Sequence, residues 1–62
     1  MKRLSREDIE RRLREFERTH ARATGEQLSS AAFFERFKAG EFDSLFGMEW
    51  AAYCRARARA SR

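Results

Sequence analysis

The sequence predicts an all-α fold of three short helices packed as one small domain, and three observations predict it. Apolar residues recur at spacings of four and three in Ile9-Leu13-Phe16-His20 and again in Phe46-Trp50-Tyr53-Arg57, which puts each set on one helical face. Residues suited to capping a helix precede each apolar stretch, at Ser5, at Ser29 and at Asp43 or Ser44. The chain holds no proline, and Gly25 and Gly40 stand where two of the helices should end. The expected helices cover about 6–23, 30–39 and 45–60, in a single domain spanning 1–62, with a basic tail over 55–62 that frays.

The first helix begins on Leu4-Ser5-Arg6-Glu7-Asp8-Ile9. Ser5 caps, Asp8 stands where the reciprocal acid of a capping box belongs, and Leu4 is spaced to staple onto Ile9. Ile9, Leu13, Phe16 and His20 then fall within an arc of about 60°. On the charged side, Glu7 to Arg11, Asp8 to Arg12 and Glu10 to Arg14 are acid-first pairs four residues apart, each contributing a few tenths of a kcal/mol. Arg14, Arg18 and Arg22 continue as a row without comparable partners. That row reads either as a ridge for phosphate or acidic groups or as an ordinary solvated face.

The second helix repeats the start chemistry. Leu28-Ser29-Ser30-Ala31-Ala32-Phe33 has the same apolar–Ser–x–x–x–apolar order, so Ser29 caps and Leu28 can staple onto Phe33. Phe33, Phe34 and Phe37 lie within about 100° of one another. Each Phe stabilises by roughly 1.5–3 kcal/mol when buried, so this helix is the expected centre of the core.

In the third helix Phe46, Trp50, Tyr53 and Arg57 form the stripe, with Ala52, Ala56 and Ala60 beside it and Arg55, Arg59 and Arg62 opposite. Gly47 costs up to about 1 kcal/mol against Ala and could move the helix start to Met48. The alternation Arg55-Ala56-Arg57-Ala58-Arg59-Ala60 imitates a strand, but Ala and Arg favour helix and cations suit a helix C-terminus.

Sixty-two residues make a core of marginal size. One cysteine excludes an internal disulfide, and His20 with Cys54 is too little for a structural zinc site. Stabilisation by dimerisation or by a partner is therefore expected. No apolar run reaches the roughly 20 residues that span a bilayer. No apolar segment follows the charged start either, so the expected location is the cytoplasm. The net charge of +4 is unevenly spread. Residues 1–25 hold eight Lys/Arg and five acids, 26–49 hold two and five, and 50–62 hold four Arg and no acid. Basic ends around an acidic middle suit head-to-tail self-association or an acidic partner.

Catalytic constellations are missing from the pattern. His20 completes an apolar stripe and reads as a half-buried core histidine before it reads as a base. Cys54 beside Tyr53 and a run of Arg reads as a small filler before a reactive thiol. No enzyme activity, cofactor or metal is expected. Two rows of Arg keep a small dimeric nucleic-acid-binding regulator as the second reading, and a structural accessory subunit of a larger complex as the third.

Three segments carry a resemblance: Leu4-Ser5-Arg6-Glu7-Asp8-Ile9 with Leu13-Arg14-Glu15-Phe16-Glu17, then Ser29-Ser30-Ala31-Ala32-Phe33-Phe34-Glu35-Arg36-Phe37-Lys38-Ala39-Gly40-Glu41-Phe42, then Glu49-Trp50-Ala51-Ala52-Tyr53. Over residues 4–54 the chain resembles small prokaryotic antitoxin-like proteins of toxin–antitoxin pairs. It departs from their pattern at Glu26-Gln27-Leu28, which intervene before Ser29, and at Ala31 and Ala32, where acids are usual. The resemblance implies a protein that neutralises a toxin-like partner enzyme by stable binding. Aromatic and Arg residues dominate interface energetics, so the partner contact is expected at Phe46, Trp50, Tyr53, Arg55, Arg57 and Arg59. Arg57 is singled out because it interrupts an apolar stripe, which a partner's acid or a frayed helix end would accommodate.

Overall fold

A computed structural model describes residues 5–60. Three helices follow in order: α1 over Arg6–Thr24, α2 over Ser30–Lys38 and α3 over Leu45–Ala60. The all-α, three-helix expectation holds, with helix ends within one residue of those read from the caps. The expected staple from Leu4 and the placement of Arg62 fall outside the described residues.

Start and stop chemistry accounts for the boundaries. Ser5 accepts from the Asp8 N–H at 3.1 Å while the Asp8 carboxylate accepts from the Ser5 N–H at 3.4 Å, a complete capping box. Gly25 ends α1 in the left-handed region at φ 78°, its N–H returning to the Ala21 carbonyl. Ser29 caps α2 through the Ala32 N–H. For α3 the choice between Asp43 and Ser44 falls to Ser44, whose Oγ accepts from the Gly47 N–H at 3.1 Å. Gly47 therefore lies inside the first turn, and the helix starts at Leu45 rather than Met48. The basic tail is helical through Ala60, within the expected 45–60, and its last two positions, 61–62, lie outside the described residues.

The helix charges pair differently from the four-residue pattern. The ion pairs along α1 are Asp8–Arg11 at 3.4 Å and Arg12–Glu15 at 3.2 Å, both three residues apart. Asp8 turns toward Arg11 because its other oxygen is held by the cap.

α1 and α3 run antiparallel, joined by Phe16 against Phe46, Trp50 and Tyr53 and by Glu10 against Arg57. α2 closes the other side of α3. Trp50 is the centre, stacked between Phe33 of α2 at 3.9 Å and Phe16 of α1 at 6.0 Å, both nearly parallel to it. Trp50, Phe33 and Ala51 are fully buried, and Ile9, Leu13, Leu28 and Cys54 complete the core. The buried side of α3 is Gly47, Trp50, Ala51 and Cys54, rotated from the expected Phe46-Trp50-Tyr53-Arg57 stripe. The rotation arises because α3 is sandwiched. Phe46 and Tyr53 edge against Phe16 of α1, while Trp50 meets Phe33 and Cys54 meets Ser30 of α2. The fully buried alanine of α3 is Ala51, while Ala52 and Ala60 of the row beside the stripe face solvent and Ala56 is half-buried.

Candidate functional site

A buried polar centre holds the three helices in register. Ser30, 1% exposed, donates both its N–H and its hydroxyl to Glu17 Oε2 at 2.8 Å. The same hydroxyl accepts from Trp50 Nε1 at 2.9 Å, and the Ser30 carbonyl accepts a long contact from Cys54 Sγ at 3.7 Å. One side chain of α2 is therefore bonded to α1 and α3 together. Nothing local in the sequence marks Ser30, the second of two serines, because its partner Trp50 lies 20 residues away on another helix; the one general signal is that a lone buried Trp needs an acceptor for its N–H. Burial raises the pKa of the Cys54 thiol above its ordinary value, with Glu17 adding to the rise and Arg57 opposing it. This environment is that of an inert structural cysteine.

His20 is buried against Trp50 and Phe42. Its Nε2 lies 3.1 Å from Glu26 Oε1, Arg36 donates to the other oxygen of Glu26 at 2.9 Å, and Arg36 also reaches Glu41 at 3.0 Å. The hydrogen bonds from His20 and then Arg36 hold the Glu26 carboxyl below the usual carboxylate range. This chain ties the α1–α2 connection to the α2–α3 connection.

The six expected contact residues are not one surface. Trp50 is enclosed and touches no solvent, so it cannot meet a partner in the folded chain; as a contact residue it is corrected to a core residue. Arg57 faces Glu10 at 3.7 Å, so the acid that accommodates it on an apolar stripe is the chain's own. Arg55 lies over the Phe34 and Phe37 rings at 6.0 and 5.9 Å, within cation–π range. Phe46 and Tyr53 are half-buried against Phe16, and Arg59 is exposed.

The outward face of α3 carries what sequence reading missed. Leu45 is 72% exposed and Met48 55%, the large hydrophobic side chains most open to solvent among the described residues. Leu45, Met48, Ala52, Arg55 and Arg59 share an arc of about 80° on the side opposite Trp50. The available signal was the second apolar pattern, Leu45-Met48-Ala52, which runs beside the aromatic one and was masked by it.

A second surface lies on α1. Arg14 and Arg18 line an open groove of about 530 Å³ with Glu17, Gln27, Leu28 and Ser29, where α1 passes the start of α2. Arg22 continues the row and is exposed. Among the described residues, no helix is long and apolar enough to cross a membrane, and no three His, Cys, Asp or Glu side chains are grouped to hold a metal. No family model, no curated protein and no solved structure matches the chain.

Proposed function

We propose that this chain is a non-catalytic protein-binding module of the cytoplasm, which neutralises a partner enzyme in the manner of the antitoxin-like proteins it resembles. The observation that carries the reading is the exposure of Leu45 and Met48 beside Arg55 and Arg59 on one face of α3. Apolar anchors rimmed by Arg, presented on a rigid helix, are the composition of an interface centre. Covering these two side chains removes apolar surface from water, a gain that favours association. The contact set is accordingly Leu45, Met48, Arg55 and Arg59, with Phe46 and Tyr53 at its edge.

Affinity capture of the tagged chain from its own cell, followed by intact-complex mass measurement, tests this reading. The wild-type chain retains an enzyme in fixed stoichiometry, the retained enzyme regains activity when released, and the double variant Leu45→Glu/Met48→Glu loses it while keeping its helical circular dichroism. Equal retention by the variant, or a retained protein whose activity is the same bound and free, sinks the proposal.

A further inference from the structure

The Arg row of α1 remains unassigned by the protein-binding reading, and the charges around it are unevenly satisfied. Four of the five acids on α1 are engaged elsewhere. Asp8 is held by Arg11, Glu15 by Arg12, Glu10 by Arg57 of α3, and Glu17 by the N–H and hydroxyl of Ser30. Arg14, Arg18 and Arg22 have no ion pair or ring partner among the described residues and are exposed. They are spaced four residues apart, about 6 Å per step along a straight helix, so they form a line about 12 Å long. The groove beside Arg14 and Arg18 adds the amide of Gln27 and the hydroxyl of Ser29, and its one carboxylate, Glu17, is turned onto the N–H and hydroxyl of Ser30.

We infer that this ridge binds the phosphate backbone of a double-stranded nucleic acid, without reading its sequence. Four features decide for that occupant. A line of three uncompensated cations matches a repeating anion better than a single small one, and the net charge of +4 favours approach of a polyanion. Arg, Gln and Ser are side chains that contact phosphate oxygens. The ridge lacks the large apolar anchor that a protein interface needs, since the exposed Leu45 and Met48 lie on α3. It also presents no aromatic ring for the base stacking by which single strands are held. Duplex binding is independent of the protein-binding face and stands or falls without it.

The test is fluorescence anisotropy of a short random-sequence DNA duplex titrated with the full chain over a range of salt. Three phosphate contacts give a log–log salt slope of about −2.7, and each of Arg14→Gln, Arg18→Gln and Arg22→Gln flattens it by about 0.9. The Leu45→Glu/Met48→Glu variant keeps the wild-type slope, which separates this result from any failure of the protein-binding reading. Circular dichroism of the Arg variants is unchanged because all three side chains face solvent. The inference is overturned by absence of binding at low salt or by a triple variant that binds as the wild type does. Tighter capture of polyglutamate than of the duplex also overturns it, and would assign the ridge to an acidic protein.

Discussion

Ser30 shows how much a single small polar side chain can carry. Its hydroxyl is both donor to Glu17 and acceptor from Trp50, with the Trp50 ring enclosed between Phe16 and Phe33. Removing the hydroxyl strands the Trp50 N–H in a site that water does not reach, and an unsatisfied buried donor costs roughly 1–3 kcal/mol. Ser30→Ala should therefore destabilise by about 2 kcal/mol, a large fraction of what a chain this short holds. Trp50→Phe removes the donor as well as ring area. In the double variant the loss of the hydroxyl no longer strands anything, so the two costs should sum to more than the pair's own cost. Urea unfolding of the four proteins measures that coupling. Additive losses would mean that the 2.9 Å bond does not hold the helices together.

At the scale of the elements, caps were the most legible feature and faces the least. Ser5, Ser29, Ser44 and Gly25 placed the helix ends because capping is local chemistry, read within four residues. The face of α3 was misassigned because spacing identifies a stripe without saying how many neighbours the helix has. An aromatic stripe at Phe46, Trp50 and Tyr53 fits contact with α1 alone, whereas α3 also packs against α2, Trp50 on Phe33 and Cys54 on Ser30. Arg57 on that stripe likewise pointed to a partner's acid or a frayed helix end, because its actual acid, Glu10, is 47 residues away in the chain. The candidate site shared that fate, with Leu45 and Met48 hidden behind a stronger pattern. Gly47 makes the sandwich testable. Replacing Gly by Ala inside a helix ordinarily stabilises by up to about 1 kcal/mol. Here an added Cβ would stand 3.0 Å from the Cβ of Phe42, an atom fixed directly to the backbone of the α2–α3 connection. Phe42 in turn packs on Phe33 and His20, so it cannot withdraw freely. Gly47→Ala should lower the melting temperature despite its better propensity; a raised Tm would show that the connection yields.

For the whole molecule, the helices meet unequally. α1 and α2 each pack on α3 far more than on one another, leaving the groove beside Arg14 and Arg18 open. With a radius of gyration of 11.5 Å, the chain is slightly more extended than the roughly 10.6 Å expected for a compact domain of its length. What couples the two connections is polar, running from His20 through Glu26 and Arg36 to Glu41. Its sign with pH follows from the Glu26 carboxyl, whose folded-state pKa lies below its ordinary value because His20 and Arg36 hydrogen-bond its ionised form. A depressed carboxylate contributes stability that is fully present above the unfolded pKa and is lost as pH falls through the folded one. Urea midpoints of the wild-type chain should therefore decline on acidification across the carboxylate range. Glu26→Gln should lower the midpoint at neutral pH and converge on the wild type in acid, because protonation then removes what the substitution removed. Because Glu26 is solvent-exposed the gap should be small, but its closing with acid is the diagnostic. A gap that persists unchanged in acid would mean that Glu26 acts through packing of the connection, with its charge contributing nothing to the coupling of the two ends.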